Sequence, residues 1–429
     1  MKQIIYQAMA RLWGNGHFSA WNNKTFAYLS SLGVGYLWLT GIPRHASGKS
    51  FVKGNPGCPY SVTDWKDVNP YMADNEEERV HEFELLVRRA HRNGIKILTD
   101  FIPNHVACDY HGEMKQYGYC DGDWTDTLKN DWSAPETFDA ALDALRFWAS
   151  LGVDGFRCDM VELVPQEPQK RLISEIKKEF PGTLFVAEVY DKSNYRSFVE
   201  YVGFDLLYDK SGMYDSLISI GKGSCTAESL TWNWQFLSDL QPRMLNFLEN
   251  HDELRIASRF CLGSAERAYP LLAASMLFND ASFMLYFGQE LGEDASESDN
   301  GRTSIFSWTK PRAIVDLNAY VNGRHLLDER ESAVLDRYRR WLELAQKPVF
   351  RKGKCWDLCY CNKGHEGFDV TSHFCFLRFD SRQAWLVFCN FSDREVHTGV
   401  WIPEEVSVCG GREVVVSVPS RDAVIVKVK

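Results

Sequence analysis

The sequence predicts an α/β protein: a (β/α)8 TIM barrel followed by an antiparallel β-sandwich domain. Three observations carry this. Short apolar runs, eight of them, alternate with longer amphipathic stretches over the first three quarters of the 429 residues. Several of these runs are continuous rather than alternating, as expected of parallel strands covered on both faces. From about residue 350 the texture changes to short strands separated by turn-forming residues.

The strand candidates are IIYQAMA (4–10), YLWLTG (36–41), IKILTDF (95–101), GFRCDM (155–160), LFVAEV (184–189), FDLLYD (204–209), MLNFLEN (244–250) and SFMLYFG (282–288). Helical patterns lie between them. Segment 75–93 lines up Val80, Phe83, Leu86, Val87 and Ala90, with Asp74 and Glu77 at capping-box spacing. Segment 135–151 follows Ser133 and Glu136, a second such spacing, and has Pro135 near its start. Segments 166–179 and 192–202 read as helices too. Eight strands alternating with helices indicate a barrel. An open doubly wound sheet is the rival, but no Gly-rich phosphate loop follows the first strand. HFCFLRFD (373–380), AWLVFCNFS (384–392), REVVVSV (412–418) and AVIVKV (423–428) supply the later β domain. The division is 1–348 for the barrel and 349–429 for the β domain.

Composition excludes several functions. Lys and Arg number 48 against 58 Asp and Glu, a net charge of −10, and no basic stripe offers a footprint for nucleic acid. No apolar run reaches membrane-span length, and the N-terminus lacks the apolar core of a signal peptide, so a cytoplasmic protein is expected. Twelve cysteines agree with a reducing compartment. Cys355, Cys359, Cys361 and His365 meet zinc spacing only by half. Cys355, Asp357, Cys359 and Cys361 are read instead as one face of a strand, with core-facing thiols.

In such a barrel the active site lies at the C-terminal ends of the strands. There the third strand ends in Asp100, Asn104 and His105, the fourth in Arg157 and Asp159, the fifth in Glu188, and the seventh in Asn250, His251 and Asp252. A lone Asp at a strand end often caps the next helix. Converging carboxylates, histidines and an arginine suit glycosidic bond cleavage, which needs one carboxylate at the anomeric carbon and one acid for the leaving oxygen. Zinc is the rival ligand, but Arg157 two residues from Asp159 would repel it and orients that carboxylate instead.

The strings LTDFIPNH (98–105), GFRCDM (155–160), FVAEVY (185–190) and FLENHD (247–252) resemble, in order, the four signature segments of the α-amylase family, glycoside hydrolase family 13. The resemblance runs over nearly the whole chain. It implies that Asp159 is the nucleophile, Glu188 the general acid/base and Asp252 the third carboxylate, which binds sugar hydroxyls. It implies that Arg157 orients the nucleophile and that His105 and His251 hold hydroxyls of the cleaved sugar. Tyr60 matches the aromatic residue stacked under that sugar, and Arg302, in GRTSIFSW, resembles an arginine that contacts it. Asp100 is structural in this family.

The departures bear on substrate and metal. The family's B domain shrinks to the loop 106–132, about 27 residues, too few for a core of their own. Tyr110, Tyr117, Tyr119, Trp124 and Trp132 are expected to pack that loop down. Asn104 matches the first ligand of the family's structural calcium site, and Asp109, Asp121, Asp123 and Asp126 follow without a pattern that selects one, so calcium is left open and no cofactor is required. Glu162 replaces a lysine common in classical α-amylases and leaves the leaving-group subsite undefined. The implied function is a retaining α-glycoside hydrolase acting on α-1,4-glucans or maltooligosaccharides, with no nucleic-acid or membrane partner. The alternatives are an α-glucanotransferase sharing the covalent intermediate, and an inactive carbohydrate-binding member. The intact Asp159, Glu188 and Asp252 set argues against the last.

Overall fold

The computed structural model describes residues 2–429. The eight expected runs form barrel strands: β1 Ile4–Met9, β2 Tyr36–Thr40, β3 Lys96–Phe101, β4 Gly155–Cys158, β5 Leu184–Ala187, β6 Leu206–Tyr208, β7 Met244–Phe247 and β8 Ser282–Tyr286. They close in chain order, each beside its sequence neighbour and β8 beside β1. Nearly every strand residue is buried, which explains runs that do not alternate. Among the described residues no helix is long and apolar enough to cross a membrane.

Register places chemistry. Asp100 on β3 pairs with Arg157 on β4, and Arg157 with Val186 on β5. Gly155 starts β4 because a Cβ there would lie 2.2 Å from the Leu184 carbonyl oxygen. Several strands end before their apolar runs do, β7 at Phe247 and not at Asn250. The reason is visible at β4 and β5. The Asp159 and Glu188 amides make one last bond to the carbonyls of Phe101 and Cys158, and the chain then leaves the ladder.

Helices follow the expected faces, except that Val80 and Phe138 are only half-buried. Arg79–Arg92 buries Phe83, Leu86, Val87 and Ala90, and Pro135–Ser150 buries Leu142, Leu145 and Trp148. Neither expected capping box forms. Asn75, not Asp74, accepts the Glu77 amide, while the Glu82 carboxylate takes the amides of Asp74 and Asn75. Ahead of the next helix Asp131 binds both the amide and hydroxyl of Ser133, which leaves Ala134 as an uncapped N-cap with Pro135 inside. In both cases a neighbouring side chain outcompetes the spaced pair.

The chain divides into two compact units. One comprises Ile5–Tyr208 and Thr303–Leu326. The other comprises the residues before Ile5, Asp209–Arg302 and Leu327–Lys429. The second unit carries the later strands: β9 Lys354–Asp357, β10 His373–Phe379, β11 Ala384–Asn390, β12 Val396–Ile402, β13 Arg412–Val418 and β14 Asp422–Lys427. They make a four-stranded sheet, β9-β10-β11-β14, and a two-stranded one, β12-β13. The cysteine reading needs correction. β9 stops at Asp357, whose carboxylate accepts the Cys359 amide and turns Cys359–Asn362 into a helical turn. Cys355, Cys359 and Cys361 therefore share no strand face.

Candidate active site

Within the first unit the ends of β3, β4 and β5 meet at one guanidinium. Arg157 is fully buried. Its Nη1 lies 2.5 Å from Asp159 Oδ1 and 3.6 Å from Asp100 Oδ1. Its Nη2 lies 2.9 Å from Glu188 Oε2, an ion contact rather than an aligned hydrogen bond. Three carboxylates thus share one cation. Burial works against the charge on Arg157, but Glu188, Tyr208, Tyr60 and Asp159 outweigh it and raise it well above its ordinary value. Rings of Trp38, Tyr60 and Tyr208 surround the guanidinium with centroids 5.3–5.5 Å away.

The carboxylates differ in their remaining partners. Asp100 accepts the Trp38 indole N–H at 3.2 Å and the Tyr60 hydroxyl at 3.3 Å. Both donors are buried, so Asp100 is walled in. Glu188 Oε2 accepts the Met160 amide at 2.9 Å, and Oε1 accepts the Tyr190 hydroxyl at 2.8 Å. Burial pushes Glu188 up, Arg157 pulls it down and Asp159 pushes it up again, leaving it at about 7. Met160 holds a left-handed φ of 42°, uncommon outside glycine, and that conformation aims its N–H at Glu188.

His105 is buried and pushed down to about 4 by desolvation, so its ring is neutral at neutral pH. It lies 5.1 Å from the Trp124 ring. Tyr60 is 8% exposed, its hydroxyl committed to Asp100 and its ring to Arg157. Of the other loop aromatics, Trp132 donates to the Pro103 carbonyl, whereas Tyr117 and Tyr119 stack on each other and are exposed. Packing alone therefore does not hold the loop. Asn104 donates to Asp121 at 2.7 Å, and the Lys129 ammonium lies 3.2 Å from the other Asp121 oxygen. A calcium ion needs six to eight oxygens. Here the carboxylate beside Asn104 already carries an ammonium and an amide donor, and although Asn104 Oδ1, Asp109 Oδ1, Asp126 Oδ2 and Asn130 Oδ1 are buried without a hydrogen-bond partner, no group of three or more carboxylates, histidines or thiols is gathered to hold an ion among the described residues. The residues do not fit calcium.

In the second unit β7 leads into Glu249, Asn250, His251 and Asp252. Asn250 Oδ1 accepts the amides of Asp252 and Glu253, a turn that fixes the backbone of Asp252. His251 Nε2 lies 3.1 Å from Asp252 Oδ2, and the Asp252 side chain is 41% exposed. Arg302 is exposed, its amide donated to Asn300.

Sequence reasoning passed over Glu249, Arg255 and Tyr190. Glu249 Oε2 meets Arg255 Nη1 at 2.8 Å and Oε1 accepts the Ile256 amide, both side chains fully buried. Arg255 in turn lies over the Tyr286 ring and donates its amide to the Gly301 carbonyl. The signal was present in the string itself, a Glu and an Arg six apart flanking His251 and Asp252.

Comparison with known proteins adds a likeness in sequence and fold. The family model described as "Alpha amylase, catalytic domain" matches residues 23–132. Alpha-amylase 3 of Dictyoglomus thermophilum is 24% identical over 324 residues, 66% of this chain and 61% of that protein. These matches make the chain similar to α-amylases. A second relative, the cyclomaltodextrin glucanotransferase of Geobacillus stearothermophilus, is 24% identical over 67% of this chain and 46% of its own length. The chain thus spans about half the length of these curated relatives. The structure of an alpha-amylase from Lactobacillus plantarum superposes with a TM-score of 0.74 at 20% identity, covering 99% of this chain and 98% of that one, which shows the shared fold.

Proposed function

We propose that this protein is a retaining α-glycoside hydrolase acting on α-1,4-linked glucans or maltooligosaccharides. One observation carries the reading. A buried guanidinium holds Asp159 on one terminal nitrogen and Glu188 on the other, while Glu188 is pushed up to about 7. Asp159 is paired at 2.5 Å and suits the nucleophile. Glu188 keeps a proton near neutrality and suits the acid. Two carboxylates sharing one guanidinium are close neighbours, which suits the ~5–5.5 Å separation of retaining enzymes.

The step runs as follows. Glu188 gives its proton to the glycosidic oxygen, the C1–O electron pair leaves with that oxygen, and Asp159 bonds to C1. Glu188, now the base, then takes a proton from water as water attacks C1 and frees Asp159. Arg157 orients Asp159 and offsets its charge. Asp252 and His251, on their turn after β7, are assigned to sugar hydroxyls, as are neutral His105 and exposed Arg302. Tyr60 is assigned to the sugar face by its packing on Arg157. Twelve unpaired cysteines support a reducing compartment.

The relative named cyclomaltodextrin glucanotransferase supports a second reading, transfer to a sugar acceptor. Incubation with maltoheptaose, with and without excess acceptor, separates them. Shorter products alone, α-configured in early NMR spectra, are expected. Longer chains establish transfer, β products overturn the role of Asp159, and no reaction overturns both readings.

A further inference from the structure

We propose that Tyr190, clamped by Glu162, is a positioning residue that keeps the proton of Glu188 on Oε1 and receives the carboxylate once that proton has gone. The inference rests on the role given to Glu188 above, and three observations carry it.

First, the two oxygens of Glu188 are not equivalent. Oε2 faces the Met160 N–H and the Arg157 cation, both able only to donate. A proton on Oε2 would point at donors. Oε1 faces the Tyr190 hydroxyl, and a hydroxyl can accept or donate. The acid proton therefore resides on Oε1. As it moves to the glycosidic oxygen, the Tyr190 O–H turns to donate to the new carboxylate, and Tyr190 itself loses no proton.

Second, Tyr190 is held in place by its backbone. Glu162 Oε2 accepts the Tyr190 amide at 2.8 Å, both oxygens lie 3.3 Å from the Asp191 amide, and Oε1 accepts Asn194 Nδ2 at 2.8 Å. One carboxylate thus ties the loop after β5 to the loop after β4. A lysine at position 162 could accept none of these bonds.

Third, Tyr190 is 36% exposed, while its hydroxyl reaches a buried acid. Its phenol bridges solvent and Glu188. Within this unit the other charged or titratable groups facing Glu188 are Arg157, Asp159 and Tyr208. None of these moves in the variants below.

The test uses the full chain with Tyr190→Phe, Glu162→Ala and Glu162→Gln. The Glu188 carboxyl is titrated by NMR after 13C-glutamate labelling and assigned with Glu188→Gln. Removing a donor to the carboxylate favours its protonated form, so Tyr190→Phe raises the Glu188 midpoint by about one unit. It moves the basic limb of kcat/KM upward by the same amount and lowers kcat about tenfold on maltooligosaccharides. It has much less effect on α-glucosyl fluoride, whose leaving group needs little protonation. Glu162→Ala shifts the midpoint in the same direction. Glu162→Gln, which retains an acceptor for the Tyr190 amide, restores most of kcat. An unmoved Glu188 midpoint in Tyr190→Phe overturns the proposal, as does Glu162→Ala lowering only the melting temperature. If the wild-type chain cleaves no glucan, the hydrolase reading falls, while the 13C titration still decides the role of Tyr190.

Discussion

Two buried glutamate–arginine pairs invite comparison, Glu188 with Arg157 in one unit and Glu249 with Arg255 in the other. Both glutamates are pushed up to about 7 by burial against the pull of their arginine. Both arginines are fully buried and lie over aromatic rings. The difference is in what remains open. Both oxygens of Glu249 are taken by fixed donors, Arg255 and the Ile256 amide. Glu188 has one oxygen on fixed donors and one on a hydroxyl that can turn. Arg255 holds one carboxylate at 2.8 Å, whereas Arg157 lies within 3.6 Å of three. A perturbed acid therefore marks burial first, and only an oxygen with a reversible partner marks chemistry.

The most direct way to break this contrast is to remove each acid. Glu188→Gln and Asp159→Asn are expected to lower kcat/KM by at least about a thousandfold while folding normally. α-Glucosyl fluoride should restore the first step in Glu188→Gln and not in Asp159→Asn; equal rescue of both would exchange their roles. Glu249→Gln should cost far less activity and leave the basic limb of the pH profile where it is. A shifted limb would make the two glutamates equivalents after all.

The arginines test the same contrast through stability. Arg255→Met strands a buried carboxylate, and a loss of about 3–5 kcal/mol is expected in denaturant unfolding. Adding Glu249→Gln to that variant should recover part of the loss. No recovery would mean that Arg255 acts through its ring and Gly301 contacts alone.

The pH dependence sharpens the comparison further. Glu249 rises from 4.5 unfolded to about 7 folded, so the native state binds the extra proton between those values. Its stabilising share is complete below pH 4.5 and lost as pH rises through 7, about 3 kcal/mol in all. Glu249→Gln should flatten the fall in melting temperature between pH 5 and 8 by that share. An unchanged slope would refute the buried proton.

The smallest effect concerns the 106–132 loop. EDTA should leave the melting temperature within about a degree, because Lys129 already occupies the charge on Asp121. Lys129→Met should lower stability by only about 0.5–1 kcal/mol, since the pair is about a quarter exposed. A large drop on chelation, restored by calcium alone, would return Asn104 to the ligand role.

The barrel was legible because buried parallel strands write continuous apolar runs, and all eight were found within a few residues. The carboxylates were legible because barrel chemistry collects at strand ends. Strand β12 was missed, since VHTGVWI alternates around a glycine, and β9 was read too long, running to Cys361 where the strand ends at Asp357. The capping residues were misjudged because spacing cannot say which of several nearby side chains wins an amide. Tyr190, Glu249 and Arg255 stayed hidden for a related reason. A residue type does not reveal which of its atoms a folded neighbour will claim.

The tetrapeptide Asp159–Glu162 also has an evolutionary consequence. Asp159 faces Arg157, the Met160 amide reaches Glu188, and the Glu162 carboxylate ties down the next loop. Three duties ride on one strained turn of four residues, whose remaining member, Val161, is fully buried. Insertions or deletions there would dephase both acids together, so length variation among descendants should be purged from this segment. The 106–132 loop, tied at its ends by the short antiparallel pairing of His105–Ala107 with Thr127–Lys129 and lying outside the barrel ladder, is where a lineage can lengthen, shorten and diversify. Libraries aimed at new substrates should be drawn there, with 159–162 left fixed.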